Sequence, residues 1–138
     1  MITRKDRILG MLLGLHVGDS LGANLEFQEP NSLDNLQTDI VGGGDFNWEV
    51  GEPTDDTLMM VMVLESITEK KRVDIFDIGN RFVNWLKSNP KDVGGTIRQA
   101  VMNLQRGDSP ESSGLTSEYS QGNGSLMRCA PLSLLELN

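Results

Sequence analysis

Glycine occurs at every fourth position of one apolar segment near the N-terminus, at Gly10, Gly14, Gly18 and Gly22. In an α-helix this spacing places the four residues close to one face. Each glycine costs about 1 kcal/mol of helix propensity relative to alanine. We therefore predict a helix over residues 4–23 and expect a neighbouring helix or backbone to pack closely against the glycine face. The same spacing favours helix dimerisation in lipid, but the segment is short and carries several charges.

Length and composition restrict the class of protein. The chain has 138 residues, of which 38% are hydrophobic and 23% are charged, as is typical of one globular domain. Its net charge of −8 disfavours nucleic acid and anionic membrane as partners. We expect no membrane association, because no apolar run approaches the roughly 20 residues needed to span a bilayer. A single cysteine, Cys129, cannot form a disulfide within the chain. It indicates a reducing compartment, so we expect a cytoplasmic protein.

The first residues outline a signal peptide, because basic residues precede an apolar stretch. Asp6 lies within the basic cluster, and His16 and Asp19 interrupt the apolar stretch. We therefore expect this segment to be retained as the first helix.

Apolar periodicity predicts further helices and no strand. Thr54, Asp74 and Thr96 are each placed to cap a helix N-terminus. The first of these helices is apolar on all sides from Leu58 to Leu64, so we expect it to be buried. Loops are predicted where glycine, proline and serine accumulate. The first of these predicted helices begins near Thr54 and ends at 69–72, the second covers about 75–88 and the third about 97–106. A final helical piece is predicted at 125–137, interrupted by Pro131. The predicted loops are 28–53 and 107–124.

The strongest chemical signal is the run of residues 51–57, Gly-Glu-Pro-Thr-Asp-Asp-Thr. Adjacent carboxylates flanked by hydroxyl groups, at the start of a buried helix, offer the hard oxygen ligands that Mg²⁺ or Mn²⁺ prefers. The same residues are also an ordinary helix start, with Thr54 as the cap and Asp55 and Asp56 complementing the helix dipole.

Three further acids are candidates for the same site. Asp19 and Glu26 share a helix face only if the first helix continues to Glu26. Glu26 lies between two apolar residues, which favours a raised pKa and acid–base chemistry. Asp92 precedes a glycine pair and a predicted helix start, where it either points into a pocket or ends a turn. The alternative for each is a solvated surface acid.

A glycine-rich loop, residues 121–124, precedes Ser125. Exposed backbone N–H groups in such a loop bind anions, which indicates a phosphate site. The alternative is a flexible loop in which Ser125 caps a helix. His16 is the only histidine, and we expect it to be packed or capping. One histidine and one cysteine do not support a Ser–His–Asp triad or a Cys/His zinc site.

Taken in order, these segments resemble the ADP-ribosylglycohydrolase family, which includes dinitrogenase-reductase-activating glycohydrolases and ADP-ribosyl-acceptor hydrolases. Residues 6–27 look like its opening helix, and residues 51–57 resemble its Thr-Asp-Asp-Thr metal motif. Residues 92–96 are similar to its Asp-Ile-Gly element, and residues 122–131 look like its substrate loop.

The resemblance implies an all-α, orthogonal helical bundle that hydrolyses the glycosidic bond between ADP-ribose and a modified acceptor. It implies a site with two Mg²⁺ or Mn²⁺ ions, and ADP-ribose or an ADP-ribosylated target as the partner. The residues carried over from the family are Glu26 and Asp92 for catalysis, Thr54, Asp55 and Asp56 for metal, and Gly122, Asn123, Gly124, Ser125 and Met127 for substrate.

The sequence departs from the family pattern at two places. Pro53 stands where the family usually has an aromatic residue. The family also completes its metal site with a second Asp-x-Asp-Thr element, but the only acids after Asp108 are Glu111, Glu118 and Glu136. We therefore expect residues 1–138 to be the N-terminal portion of one domain, incomplete at its C-terminus.

On this interpretation a complementary C-terminal half or self-association completes the site. The alternatives are a non-catalytic module that binds ADP-ribose or a nucleotide, an inactive remnant, and a packing protein comparable to the lens crystallins of the family.

Overall fold

A computed structural model describes residues 1–29 and 36–135 as a helical bundle. Over these residues the only β-pairing is an isolated antiparallel bridge between Gly43 and Trp48. The all-α prediction is confirmed. The four α-helices are α1 (Arg4–Gly22), α2 (Asp55–Lys70), α3 (Ile75–Lys87) and α4 (Gly95–Arg106), with short 3₁₀ helices at Ala23–Leu25, Asn123–Ser125 and Ala130–Leu134. Parts of the predicted loop 28–53 and of the predicted final helix, at 30–35 and 136–138, lie outside the described residues.

α1 begins with a reciprocal capping arrangement. The Thr3 hydroxyl accepts a hydrogen bond from the backbone N–H of Asp6 at 3.1 Å, and the Thr3 N–H donates to the Asp6 carboxylate at 2.8 Å. These bonds satisfy donors that a helix start leaves unpaired. The chain continues from α1 into the 3₁₀ helix Ala23–Leu25, so Glu26 follows directly. The predicted helix over 4–23 is confirmed.

The close packing expected at the glycine face of α1 is not observed. Apart from the backbone of α1 itself and the adjacent residues, no described atom lies within 4 Å of a Cβ built at any of the four glycines. The helix contacts α2 through His16 and Asp19, which lie on a different line along the helix. Leu13 is 58% exposed and Val17 is 50% exposed. Within the described residues the expected packing is therefore absent, because the bundle meets α1 on a different face and leaves the glycines open.

The segment Arg4–Leu25 is long and apolar enough, by length and composition, to cross a membrane, with a mean hydropathy of 1.3. This corrects the expectation that no apolar run approaches that length. Glycine is nearly neutral in hydropathy, so the four glycines scarcely lower the mean hydropathy of the segment. Helices of soluble proteins and signal sequences meet the same criterion, so the finding assigns no location.

Helices α2, α3 and α4 enclose the core. α2 is mostly buried as predicted, although Val61 is 37% exposed. The core is formed by the buried side chains of Met59, Val63, Ile67, Phe82, Val93, Ile97, Val101 and Met127.

The predicted caps of α2 and α3 are confirmed, whereas that of α4 is wrong. Thr54 accepts from the N–H of Asp56, and Asp74 accepts from the N–H of Asp77. α4 begins at Gly95 with Gly94 as its N-cap, and no side chain caps it. The N–H of Gly94 donates to the Asp55 carboxylate of α2 at 3.3 Å, which fixes the start of α4 ahead of Thr96.

The final helical piece predicted at 125–137, interrupted by Pro131, is 3₁₀ rather than α-helical over its described part. The chain forms two short 3₁₀ helices, and Pro131 is buried at the start of the second. Proline removes a backbone donor and clashes with the preceding turn, so the tighter and shorter 3₁₀ turn replaces the α-helix.

Candidate functional site

One cavity of about 440 Å³ lies where the end of α1 meets the N-termini of α2 and α4 and the loop at Gly122–Gly124. Nine of the ten residues carried over from the family line this cavity. Ser125 is the exception, because it lines a neighbouring groove. The nine are Glu26, Thr54, Asp55, Asp56, Asp92, Gly122, Asn123, Gly124 and Met127.

The Asp19 carboxylate holds α1 against the N-terminus of α2. It accepts hydrogen bonds from the backbone N–H and hydroxyl of Thr54, at 3.1 and 2.6 Å. It also accepts from the N–H of Thr57 at 3.2 Å and from the Thr57 hydroxyl. An anion at a helix N-terminus satisfies unpaired donors and complements the dipole. Asp19 also lines the cavity, so the residue that joins the two helices forms part of the site.

His16 extends this arrangement away from the cavity. Its Nδ1 lies 3.2 Å from the Thr57 hydroxyl oxygen. Because the Thr57 hydroxyl donates to Asp19, it accepts from His16 when the imidazole carries its proton on Nδ1. This places His16 behind Asp19 in a hydrogen-bonded chain, in agreement with a packed rather than a catalytic role.

Asp55 is the most buried acid of the cavity, with 7% of its surface exposed. Its carboxylate accepts from the N–H of Gly94 at 3.3 Å. Burial raises the pKa of Asp55 to about 6 against the opposing effect of that bond, and the charges of Asp92, Asp56 and Asp19 add to the rise. Burial also raises the pKa of Asp56, followed by the charge of Asp19. The folded chain therefore holds two adjacent carboxylates where their ionisation is disfavoured.

Glu26 and Asp92 form a carboxyl pair at the other side of the cavity. Their side chains are close enough to share a hydrogen bond. Burial raises the pKa of Glu26, and the charges of Asp92 and Asp55 raise it further. Burial is also the largest cause of the raised pKa of Asp92. Two carboxyl groups this close favour one shared proton, which is an arrangement suited to acid–base chemistry.

The donor set of the cavity fits a divalent cation. Five acids line it, and no lysine, arginine or histidine from residues 1–29 or 36–135 lines it with them. The Thr54 hydroxyl donates to Asp19 and accepts from the N–H of Asp56, so its oxygen retains one lone pair. As the side chains stand, no three acidic, histidine or cysteine groups of the described chain are close enough to hold an ion. A bound ion would therefore draw the carboxylates together or take further ligands.

The N-terminus of α4 and the glycine loop line the same cavity. The N-terminus of α4 has no side-chain cap, and Gly94, Gly95 and Thr96 line the cavity. A Cβ on Gly124 would lie 2.7 Å from Cγ1 of Ile97, so only glycine allows the loop to pack this closely on α4. An uncapped helix start beside a glycine loop is a site for an anionic group.

Two of these features were not predicted from the sequence. The open N-terminus of α4 was assigned to a Thr96 cap, and the Gly94–Asp55 bond joins residues 39 positions apart. The Asp-Val-Gly-Gly run before the helix was the available signal, because a glycine N-cap leaves the first donors free.

Comparisons with known proteins agree with this geometry. The ADP-ribosylglycohydrolase family profile matches residues 1–137. The chain is 38% identical to the ADP-ribosyl-[dinitrogen reductase] glycohydrolase of Rhodospirillum rubrum, over 96% of this chain and 45% of that protein. It is 35% identical to the ADP-ribosylarginine hydrolase Tri1 of Pseudomonas putida (strain GB-1), over 94% of this chain and 36% of that protein.

A solved structure described as an ADP-ribosylglycohydrolase-related protein complex superimposes with a TM-score of 0.79 at 35% identity, over 95% of this chain and 43% of that one. The chain thus spans less than half the length of these relatives. The profile match covers nearly all of the sequence, and the helices of a solved relative coincide with those that form the acidic cavity, so the chain belongs to the ADP-ribosylglycohydrolase family.

Proposed function

We propose that this chain supplies part of a site for metal-dependent hydrolysis of the glycosidic bond between ADP-ribose and a modified acceptor. A complementary segment, which corresponds to the part of the relatives that these 138 residues do not cover, completes the site. The observation that carries the proposal is that one cavity contains five acids together with the glycine loop and the open start of α4. Carboxylates suit metal and proton transfer, and the backbone donors suit a pyrophosphate.

Thr54, Asp55 and Asp56 would hold Mg²⁺ or Mn²⁺, of which the family binds two. A divalent ion in such a site activates water and polarises ribose hydroxyl groups. The Asp19 carboxylate positions the metal-binding residues, because it bonds to the hydroxyl and N–H of Thr54. The N–H of Gly94 orients one oxygen of Asp55.

The Glu26–Asp92 pair would supply the proton chemistry. The raised pKa of both groups favours retention of one proton between them above the pH range in which a carboxyl group ordinarily loses it. That proton is available to the leaving group as the glycosidic bond breaks, and the resulting carboxylate stabilises the positive charge that develops on the ribose. The loop Gly122–Gly124 and the start of α4 would bind the pyrophosphate through backbone N–H groups.

Calorimetric titration of Mg²⁺ and then ADP-ribose tests the proposal. The double variant Asp55→Asn/Asp56→Asn removes the two adjacent charges, and Asp108→Asn serves as a control on an exposed loop. We expect ADP-ribose to bind the wild type and the control only with Mg²⁺ present, and the double variant not at all.

Two results would contradict this expectation. ADP-ribose binding that is independent of Mg²⁺ would indicate a non-catalytic binding module. A chain that is folded by circular dichroism and binds neither compound would indicate a remnant or a packing protein.

A further inference from the structure

An apolar groove of about 530 Å³ lies beside the acidic cavity, on the other side of the glycine loop. Its walls come from α3, α4 and the last described segment. Four of its apolar side chains are each more than a third exposed, which is unusual for residues that line one continuous depression. They are Val73, Ile75, Leu115 and Leu132.

Arg128 is the one basic residue of the described chain that lines this groove. Its guanidinium lies 4.8 Å from the centre of the Phe82 ring, and its Nη1 is 3.8 Å from the sulfur of Met59. Burial lowers the pKa of Arg128. No carboxylate in residues 1–29 or 36–135 forms an ion pair with it, although Glu111 lines the same groove. The guanidinium of this half-buried residue contacts a ring and a sulfur, and it lacks the anionic partner that such groups normally have among the described residues.

The metal-site proposal does not use this arginine. Arg128 does not line the acidic cavity, whose walls share only Thr96, Ile97, Gly122 and Gly124 with the groove. An anion bound at the start of α4 would therefore not meet the guanidinium.

The relatives contain the additional polypeptide that such a groove requires. More than half of the solved relative has no counterpart in this chain, yet the helices of the two proteins superimpose over 95% of this chain. This additional polypeptide is the part of the relatives that is available to cover a groove that is apolar in this chain. A helix or strand that covers this groove meets apolar walls and a single positive charge.

We propose that the groove seats an apolar segment of the complementary part of the domain, and that Arg128 pairs there with an aspartate or glutamate of that segment. This inference extends the proposed function to the surface on which the site is assembled. It involves neither metal nor ADP-ribose, so the two proposals fail separately.

Overlapping 20-residue peptides from the unmatched part of the Rhodospirillum rubrum glycohydrolase are the probes. Each is titrated into the full chain without metal, with fluorescence anisotropy as the measurement. We expect a peptide with apolar residues at helical spacing and at least one acid to bind. Replacing that acid by its amide, or Arg128 by Gln, should weaken binding by about tenfold or more. The two changes together should weaken it little further, because they remove the same ion pair.

Arg106→Gln, on the exposed end of α4, is the matched control and should leave binding unchanged. The amide peptides keep the test valid if Arg128→Gln does not fold, because they are measured on the wild-type chain. Absence of binding by every peptide would overturn the proposal, and so would binding that ignores both the acid and Arg128. Decanoate is titrated in parallel, and its binding in place of the peptides would assign the groove to a small apolar carboxylate and also overturn the proposal.

Discussion

Asp55 is ionised at neutral pH only at a cost in folding free energy. Its pKa is about 6 in the folded chain against 3.8 as the ordinary value. A raised carboxyl pKa means that the folded state binds the proton more tightly than the unfolded state. The stability that this proton provides is complete below pH 3.8 and is lost as the pH rises through 6.

Asp55→Asn should therefore stabilise the metal-free chain at pH 7. The gain is on the order of 2 kcal/mol, reduced by the weaker bond from Gly94, and should raise Tm by roughly 4–8 °C. Thermal unfolding followed by circular dichroism measures it, with Asp108→Asn as the control. At pH 4 the wild-type carboxyl is protonated, so the difference should nearly vanish. A variant that is less stable than the wild type at pH 7 would contradict this explanation.

Asp19 should show the opposite behaviour. Asp19→Asn weakens four hydrogen bonds to Thr54 and Thr57 by removing the charge that accepts them. Hydrogen bonds to a charged group contribute about 1.5–3 kcal/mol, so we expect a loss of that order in urea denaturation at pH 7. Asp39→Asn, in an exposed loop, is the control. An unchanged urea midpoint would mean that the bonds do not hold α1 to α2.

The sequence predicts the acids of the site better than it predicts their roles. Thr54, Asp55 and Asp56 are adjacent, and their order alone indicates a capped, acidic helix start. The role of Asp19 depends on two residues 35 and 38 positions away. Such a contact is set by the packing of two helices, which no local pattern encodes.

The ends of the helices show the same difference between features that the local sequence predicts and features that depend on packing. The beginning of α2 and both ends of α3 follow from caps and apolar periodicity that lie within the elements. The start of α4 does not, because a carboxylate of α2 determines it. The glycine face of α1 indicates close packing in general, but the partner that would supply the contact is not among the described residues.

Alanine substitutions at two glycines test whether the glycine face of α1 is open and whether the glycine loop packs closely on α4. Gly14→Ala should stabilise the chain by about 1 kcal/mol, since nothing lies near the added methyl group and alanine favours the helix. Gly124→Ala should destabilise it by about 1–3 kcal/mol, because the methyl group would meet the buried Ile97. Urea denaturation of the pair gives both values. A loss of stability in Gly14→Ala would show that the glycine face is covered in solution.

The molecule as a whole combines two opposing pH dependences. Glu26, Asp55, Asp56 and Asp92 have raised pKa values at the cavity. On the far side of the bundle, Arg81 lowers the pKa of Asp77 to about 2 and also pairs with Glu65 and Glu69 of α2. A lowered carboxyl pKa provides stability above 3.8 that is lost as the pH falls towards 2.

The metal-free chain should consequently be most stable between about pH 4 and 5, below the usual neutral range. Addition of Mg²⁺ should raise stability more at pH 7 than at pH 4, because the Asp55 carboxyl, with its pKa of about 6, is ionised at pH 7 and then binds the ion. Thermal unfolding from pH 3 to 8, with and without Mg²⁺, checks both statements. A metal-free maximum at pH 7 would contradict the assigned carboxyl interactions.

The global fold class and the family follow from the sequence, because helix periodicity and the order of the four motifs extend over nearly the entire chain. The relative position of the groove and the cavity does not follow. It depends on the path of the segment after α4, which includes one 3₁₀ helix that begins in the predicted loop and another within the predicted final helical piece.

The loop Gly122–Gly124 has the acidic cavity on one side and the apolar groove on the other. Because this loop borders both, an occupant of the cavity that displaces the loop changes the affinity of the groove for its own occupant, and the reverse also holds. Thermodynamic reciprocity then requires that a seated segment and a captured nucleotide strengthen or weaken each other by the same factor. If both proposals hold, seating of the complementary segment and binding of ADP-ribose would be a single cooperative equilibrium, in which each occupant favours or opposes the other.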